Sequence, residues 1–178
     1  MPTGARYVAM GSSFASGPGV TRLADDRDPR CTRSYDNYAR QTARRLQLDL
    51  VDVSCGGATS DHVLNGWNEL PPQVAALTED TRLVTVTIGG NDVGYVAGLF
   101  VGSCSDTANA TEVVKTACAK MRQLSGSRPV AAVAVSDEEK WSAAEAGLFA
   151  IAAEVARRSP KARLVFVQYL SLVPAGPL

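Results

Sequence analysis

The sequence is poorest in the residues most often used to move protons and hold metals. Its 178 residues contain one histidine, His62. Four cysteines, Cys31, Cys55, Cys104 and Cys118, lie far apart, so no C-x-x-C pair marks a zinc ribbon or a thioredoxin-type redox centre. Charge of one sign is also missing, since 18 basic residues balance 18 acidic ones. A balanced chain carries no electrostatic footprint for nucleic acid or for an anionic membrane surface. No apolar run approaches the roughly 18–20 residues of a membrane-spanning helix. The start, MPTGARYVAM, lacks the basic and apolar regions of a signal peptide. Either the protein is cytosolic, or a leader was removed ahead of this numbering. Of the basic residues only Lys115, Lys120, Lys140 and Lys161 are lysines, a bias that speaks of a GC-rich genome more than of function.

What remains has the composition of one soluble domain, spanning 1–178, with 46% hydrophobic and 20% charged residues. The cysteines bear on its compartment. Four allow three pairings, and the local one, Cys31–Cys55 with Cys104–Cys118, closes two short loops. Four free, inert thiols are the alternative; disulfides in an exported mature chain are the expectation. Asp25, Asp26 and Asp28 in ADDRDPR sit among Arg27 and Arg30 and read as a solvated turn, and no metal or cofactor is expected. Asn109-Ala-Thr111 fits a glycosylation triplet, a pattern that arises often by chance.

Strand and helix signals alternate. Arg6–Met10 reads as a short buried strand, Leu48–Ser54 as a second, Arg82–Ile88 as a third rich in β-branched residues, and Ala162–Leu170 as a fourth. Between them, helical spacing runs over Ser34–Leu48, Asp61–Asn65, Pro71–Thr78, Thr111–Leu124 and Trp141–Arg158. In the last, Trp141, Ala144, Leu148, Ile151, Ala152 and Val155 form an apolar stripe suited to a core. Pro129–Val135 is ambiguous between strand and helix. This alternation predicts an α/β fold with a parallel sheet and right-handed crossovers.

The first three strands each stop in small residues: Gly11-Ser12-Ser13, Cys55-Gly56-Gly57 and Gly89-Gly90-Asn91. In a parallel sheet all three loops fall on the carboxyl edge, where ligands bind. Taken singly, Ser13 is an ordinary turn serine, Gly57 a strand terminator and Asn91-Asp92 a helix cap. Together they are the parts of an acyl-transfer site. A serine at a helix start can attack a carbonyl carbon, and backbone N–H groups with an asparagine amide can receive the developing oxyanion.

The segments YVAMGSSFASGPG, DVSCGGATS and VTIGGNDVG resemble three sequence blocks of the SGNH (GDSL-type) hydrolase, esterase and lipase family, in the order and spacing of its secreted bacterial branch. The resemblance runs from about Arg6 to Pro174. It implies a flavodoxin-like, three-layer α/β/α fold, carboxylic-ester or lipid substrates, secretion and no cofactor. It also implies Ser13 as nucleophile, Gly57 and Asn91 as oxyanion ligands, and the local cysteine pairing. Two departures stand out. The aspartate usual before the nucleophile is Ser12 here. The family's Asp-x-x-His block, which follows a fifth strand, has no counterpart, so the C-terminal strand and the catalytic-histidine loop are missing from this chain. His62, five residues past Gly57, reads as a satisfied or exposed surface histidine rather than a relocated base. The expectation is therefore a hydrolase domain with little turnover unless a C-terminal fragment of the same domain supplies Asp and His. The other reading is a non-catalytic acyl- or carbohydrate-binding module that keeps the pocket.

Overall fold

The computed structural model describes residues 1–24, 29–95, 104, 111–124 and 138–170. Four parallel strands form its sheet: β1 (Arg6–Gly11), β2 (Asp49–Asp52), β3 (Thr81–Thr87) and β4 (Arg163–Phe166), in the order β2-β1-β3-β4. The chain lays β2 on one side of β1 and then returns to lay β3 on the other, so strand order reverses between β1 and β3. Their carboxyl ends flank the crevice that such a reversal opens.

Both central strands are buried on both faces, which explains the apolar run of β1 and the β-branched, valine- and threonine-rich run of β3. Val8 and Met10 of β1 and Val84 and Val86 of β3 face one layer. That layer is built from helix α3 (Ser60–Asn65), a 3-10 turn at Gln73–Ala76 and the long helix α5 (Glu138–Arg158), through Val63, Val74, Ile151 and Val155. Tyr7, Ala9 and Leu83 face the opposite layer, where helix α2 (Tyr38–Leu46) contributes Ala39 and Ala43. The result is the expected three-layer α/β/α arrangement. The other helices among the described residues are the single turn α1 (Ser13–Ser16) and α4 (Glu112–Leu124). No helix among the described residues is long and apolar enough to cross a membrane.

Element boundaries depart from the sequence reading where side chains compete for the backbone. Helix α2 begins at Tyr38 rather than Ser34 because the Asn37 side chain accepts the Arg40 N–H at 2.9 Å and caps it. Tyr35 is left outside the helix, exposed under the Arg22 guanidinium. Strand β2 ends at Asp52, whose carboxylate takes both the Ser54 N–H (3.2 Å) and hydroxyl (2.6 Å) and turns the chain out of the ladder. Pro71–Thr78 yields only the 3-10 turn. Trp141 does not join the core: it is 53% exposed, while Ala144, Ile151 and Val155 of the same stripe are buried. Strand β4 stops at Phe166 and is a sheet edge among the described residues, with Val165 and Phe166 36% and 42% exposed. Asp25, Asp26, Asp28, Asn109, Pro129–Val135 and residues 96–103 lie outside the described residues.

Two disulfides form, Cys31–Cys55 and Cys104–Cys118, and the described residues hold no free cysteine. The first closes a separation of 24 residues and ties the loop after β2 to the turn at Pro29–Cys31. On the loop-entropy model such a closure is worth about 3 kcal/mol. Replacing Cys31 and Cys55 by serine is therefore expected to lower the thermal midpoint by roughly 10 °C, as followed by circular dichroism. An unchanged midpoint would mean that the bridge does not constrain the native fold.

Candidate functional site

Strand β1 reaches its carboxyl end in very close contact with β3. A Cβ at Gly11, where φ is +135°, would come within 2.2 Å of the Thr87 carbonyl oxygen, so only glycine fits. Ser12 then donates its N–H to Thr87 O at 2.9 Å, and its own carbonyl accepts from Ala15 and Ser16, starting α1. Ser13 is thus the first residue of that turn, which Gly17 ends in a left-handed conformation. Ser13 is half-buried, and among the described residues neither its hydroxyl nor its N–H has a hydrogen-bond partner. A first-turn N–H has no acceptor inside its own helix.

The loop after β2 is tied to β1 by the Cys55 N–H, which donates to Gly11 O at 2.9 Å. The Gly56 N–H donates to Cys31 O at 3.0 Å, across the disulfide. Gly57 follows with φ +86°, and its N–H has no acceptor among the described residues. A Cβ there would lie 3.1 Å from the Trp67 indole, so the ring closes one side of this loop. The loop after β3 leans against it: the Asn91 side-chain amide donates to Ala58 O at 2.8 Å. An amide nitrogen carries two hydrogens. The second has no acceptor among the described residues. Asp92 acts on a neighbouring element. Its carboxylate receives the Ser60 N–H at 3.0 Å and the Ser60 hydroxyl, and so caps α3 from outside.

Three strand-end loops are in this way linked by Ser12–Thr87, Cys55–Gly11 and Asn91–Ala58 hydrogen bonds. Ser13, Gly57 and Asn91 all lie on the carboxyl edge of the sheet, with Ser13 and Asn91 following the two strands that flank the reversal of strand order. His62 is engaged elsewhere. Its Nδ1 accepts the Thr59 N–H at 3.1 Å in the capping box of α3, and its ring stacks on Trp67 at 4.3 Å. This arrangement puts the imidazole proton on Nε2.

Several residues that support these loops carry no signal in the sequence. Gln73 is buried and grips the Gly11 backbone twice, accepting its N–H at 2.7 Å and donating to its carbonyl at 3.1 Å. The Tyr38 hydroxyl meets Thr87 Oγ1 at 3.0 Å, and Tyr7 meets Thr85 Oγ1 at 2.7 Å. Burial pushes both phenols up, against the opposing effect of these hydrogen bonds, so neither is a base at neutral pH. Tyr169, past the end of β4, bonds Ser12 and Gly90. A cleft of about 740 Å³ lies beside Gly89 and Gly90, walled by Val93, Tyr95, Trp141, Leu148 and Tyr169. Among the described residues no group of three or more His, Cys, Asp or Glu side chains is placed to hold a metal ion.

Residues 9–178 match the model of the GDSL-like lipase/acylhydrolase family. Lipase 2 of Streptomyces coelicolor is 42% identical over 87 residues, which cover 48% of this chain and 29% of that protein. An esterase of Streptomyces scabiei is 29% identical over 190 aligned positions, covering 94% of this chain and 53% of the relative. The crystal structure of an extracellular lipase from Streptomyces rimosus superposes with a TM-score of 0.62 at 24% identity, over 99% of this chain and 65% of that one. Phospholipase A1 from Streptomyces albidoflavus gives 0.64 at 24% identity, over 98% and 64%. These structural likenesses establish a shared α/β fold, and the chain spans 29–65% of the length of these four relatives. With the match covering nearly all of its residues, the chain belongs to the GDSL-like lipase/acylhydrolase family.

Proposed function

We propose that the chain is the nucleophile-bearing part of a serine hydrolase of carboxylic esters, acting on small ester or lipid substrates. Ser13 is the nucleophile. The Ser13 and Gly57 N–H groups and the free hydrogen of the Asn91 amide receive the oxyanion. One observation carries the reading: hydrogen bonds bind the three loops to one another while leaving these particular donors without an acceptor among the described residues. Donors fixed before reaction cost no reorganisation when charge develops, and each is worth about 3–4 kcal/mol in the transition state.

The chemistry balances in two halves. Ser13 Oγ bonds to the ester carbon, its proton passes to a general base, and the carbonyl electron pair moves onto oxygen. Collapse of the tetrahedral species breaks the bond to the alcohol, which leaves with the proton from the base. Water then repeats the attack on the acyl-serine, releasing the acid and restoring Ser13. The family, and the names of the lipase and esterase relatives, support an ester substrate.

The base is the part that the described residues do not supply. His62 Nδ1 is committed to the α3 cap, and its ring to Trp67. We assign the base to an Asp-x-x-His segment outside these 178 residues, on the same polypeptide or on a separate C-terminal fragment. Without it, turnover falls to the residual ~10³–10⁴-fold over water that donors and binding alone provide. Export is part of the reading, supported by the two disulfides and by the extracellular relative.

The test measures p-nitrophenyl ester hydrolysis by the 178-residue chain, and by the same chain extended with the reading frame that follows Leu178. The extension is expected to contain Asp-x-x-His and to raise hydrolysis by about 10³-fold or more. Robust turnover that survives Ser13→Ala would refute the assignment. The binding-module reading draws on the lack of a base among the described residues, and it predicts reversible ligand binding with no covalent labelling of Ser13 by a fluorophosphonate even in the extended chain.

A further inference from the structure

We propose that Tyr169 is a positioning residue that sets the nucleophile loop against the asparagine loop through a directed chain of hydrogen bonds. The inference rests on the proposed roles of Ser13 and Asn91. The Tyr169 hydroxyl lies 3.2 Å from the Gly90 nitrogen and 3.0 Å from Ser12 Oγ, which lies 3.4 Å from the Thr87 carbonyl oxygen. The ends fix the direction, because an amide N–H only donates and a carbonyl only accepts. Gly90 N–H therefore donates to the phenol, the phenol donates to Ser12, and Ser12 donates to Thr87. Each hydroxyl proton is used once, and neither hydroxyl is left unsatisfied.

The ring is placed as closely as the hydroxyl. It packs edge-on against Phe14 with centroids 4.5 Å apart. A Cβ at Gly90 would lie 2.8 Å from the Tyr169 Cζ, so the absence of a side chain at residue 90 is what admits the ring. One side chain from beyond β4 thus touches both sequence neighbours of Ser13 and the residue before Asn91. Ser12 is fully buried, and its N–H is already committed to Thr87, so its hydroxyl is the handle left for coupling this loop to another element. The distance that matters for an oxyanion is the one between these two loops, and the phenol spans it.

Tyr169→Phe keeps the ring and deletes only the hydroxyl. The experiment follows phosphonylation of Ser13 by a fluorophosphonate in the chain extended past Leu178 to include its base, by peptide mass, for wild type, Tyr169→Phe, Ser12→Ala and the double variant. The maximal labelling rate is expected to fall about tenfold in Tyr169→Phe, the rate equivalent of one hydrogen bond. The half-saturating probe concentration and the final extent of labelling are expected to stay unchanged. The double variant is expected to be no slower than the slower single one, because both remove the same link. A purely structural role would lower the final extent instead of the rate. Wild-type labelling at Ser13 with an unaffected Tyr169→Phe rate, or with single effects that multiply, overturns the positioning role alone. An unlabelled wild-type Ser13 overturns the proposed function, and this inference with it.

Discussion

In the chain extended to include its base, Ser13→Ala is expected to abolish covalent labelling by a fluorophosphonate and to lower kcat by on the order of 10⁶-fold. The size follows from what the hydroxyl does in the proposed reaction. It forms the bond that divides hydrolysis into two easier steps, so no neighbouring group replaces it. Ser12 is beside it but is buried and bonded to Tyr169 and Thr87, whereas Ser13 Oγ has no partner among the described residues. Ser12→Ala therefore serves as the contrast, a variant that keeps the covalent label on residue 13. The Ser13→Ala substitution removes one oxygen from a half-buried turn, so the thermal midpoint is expected to stay within a few degrees of wild type. Peptide mass after labelling and the unfolding curve together separate a lost nucleophile from a lost fold. Labelling that persists at another serine in Ser13→Ala would remove Ser13 from the mechanism.

The second large effect belongs to the donors. Gly57→Ala and Asn91→Ala are each expected to slow the extended chain by about 10²–10³-fold in kcat, with a smaller change in KM, because an oxyanion exists only past the ground state. The two variants act by different routes. At Gly57 the backbone holds φ +86°, and a new Cβ meets the Trp67 ring at 3.1 Å. A left-handed alanine costs about 1–2 kcal/mol. The loop then relieves both by moving, and the N–H turns with it. At Asn91 the donor itself is lost, together with the bond to Ala58 O that holds the β3 loop against the β2 loop. Asn91→Asp sharpens the comparison, since it keeps the shape while placing a negative charge where the oxyanion forms, and it is expected to be at least as slow as Asn91→Ala. Steady-state kinetics on p-nitrophenyl esters measures all three. Equal losses in KM with kcat unchanged would mean that these groups bind the ground state instead.

How much of this was legible in the sequence depends on how locally each feature is encoded. Strands β1 and β3 are buried on both faces, so β1 shows an apolar run and β3 a run of leucine, valine and threonine, both of which stand out against any background. The loops that end them are legible for the same reason: a serine, a glycine or an asparagine directly after such a run has to lie on the carboxyl edge of a parallel sheet. Helix α5 shows its buried stripe at Ala144, Ile151 and Val155, but the pattern also swept in Trp141, which lies in the first turn and lines the open cleft. Boundaries failed where one polar side chain overrides the ladder or the helix, as Asn37 and Asp52 do, because periodicity is blind to a single hydrogen bond. The supports of the site were invisible for a different reason. Gln73 reaches Gly11 across 62 positions, and Tyr169 reaches Ser12 across 157. Each does so through one side chain, which leaves no trace in spacing or composition.

The most direct measurement is a crystal structure of the extended chain after reaction with a fluorophosphonate, in which the phosphoryl oxygen stands in for the oxyanion of the tetrahedral intermediate. The adduct is expected on Ser13 Oγ, with that oxygen about 2.7–3.1 Å from the nitrogens of Ser13, Gly57 and the Asn91 side chain. A phosphonate on another residue, or one on Ser13 whose oxygen points to solvent with the Gly57 and Asn91 nitrogens out of reach, would contradict the account.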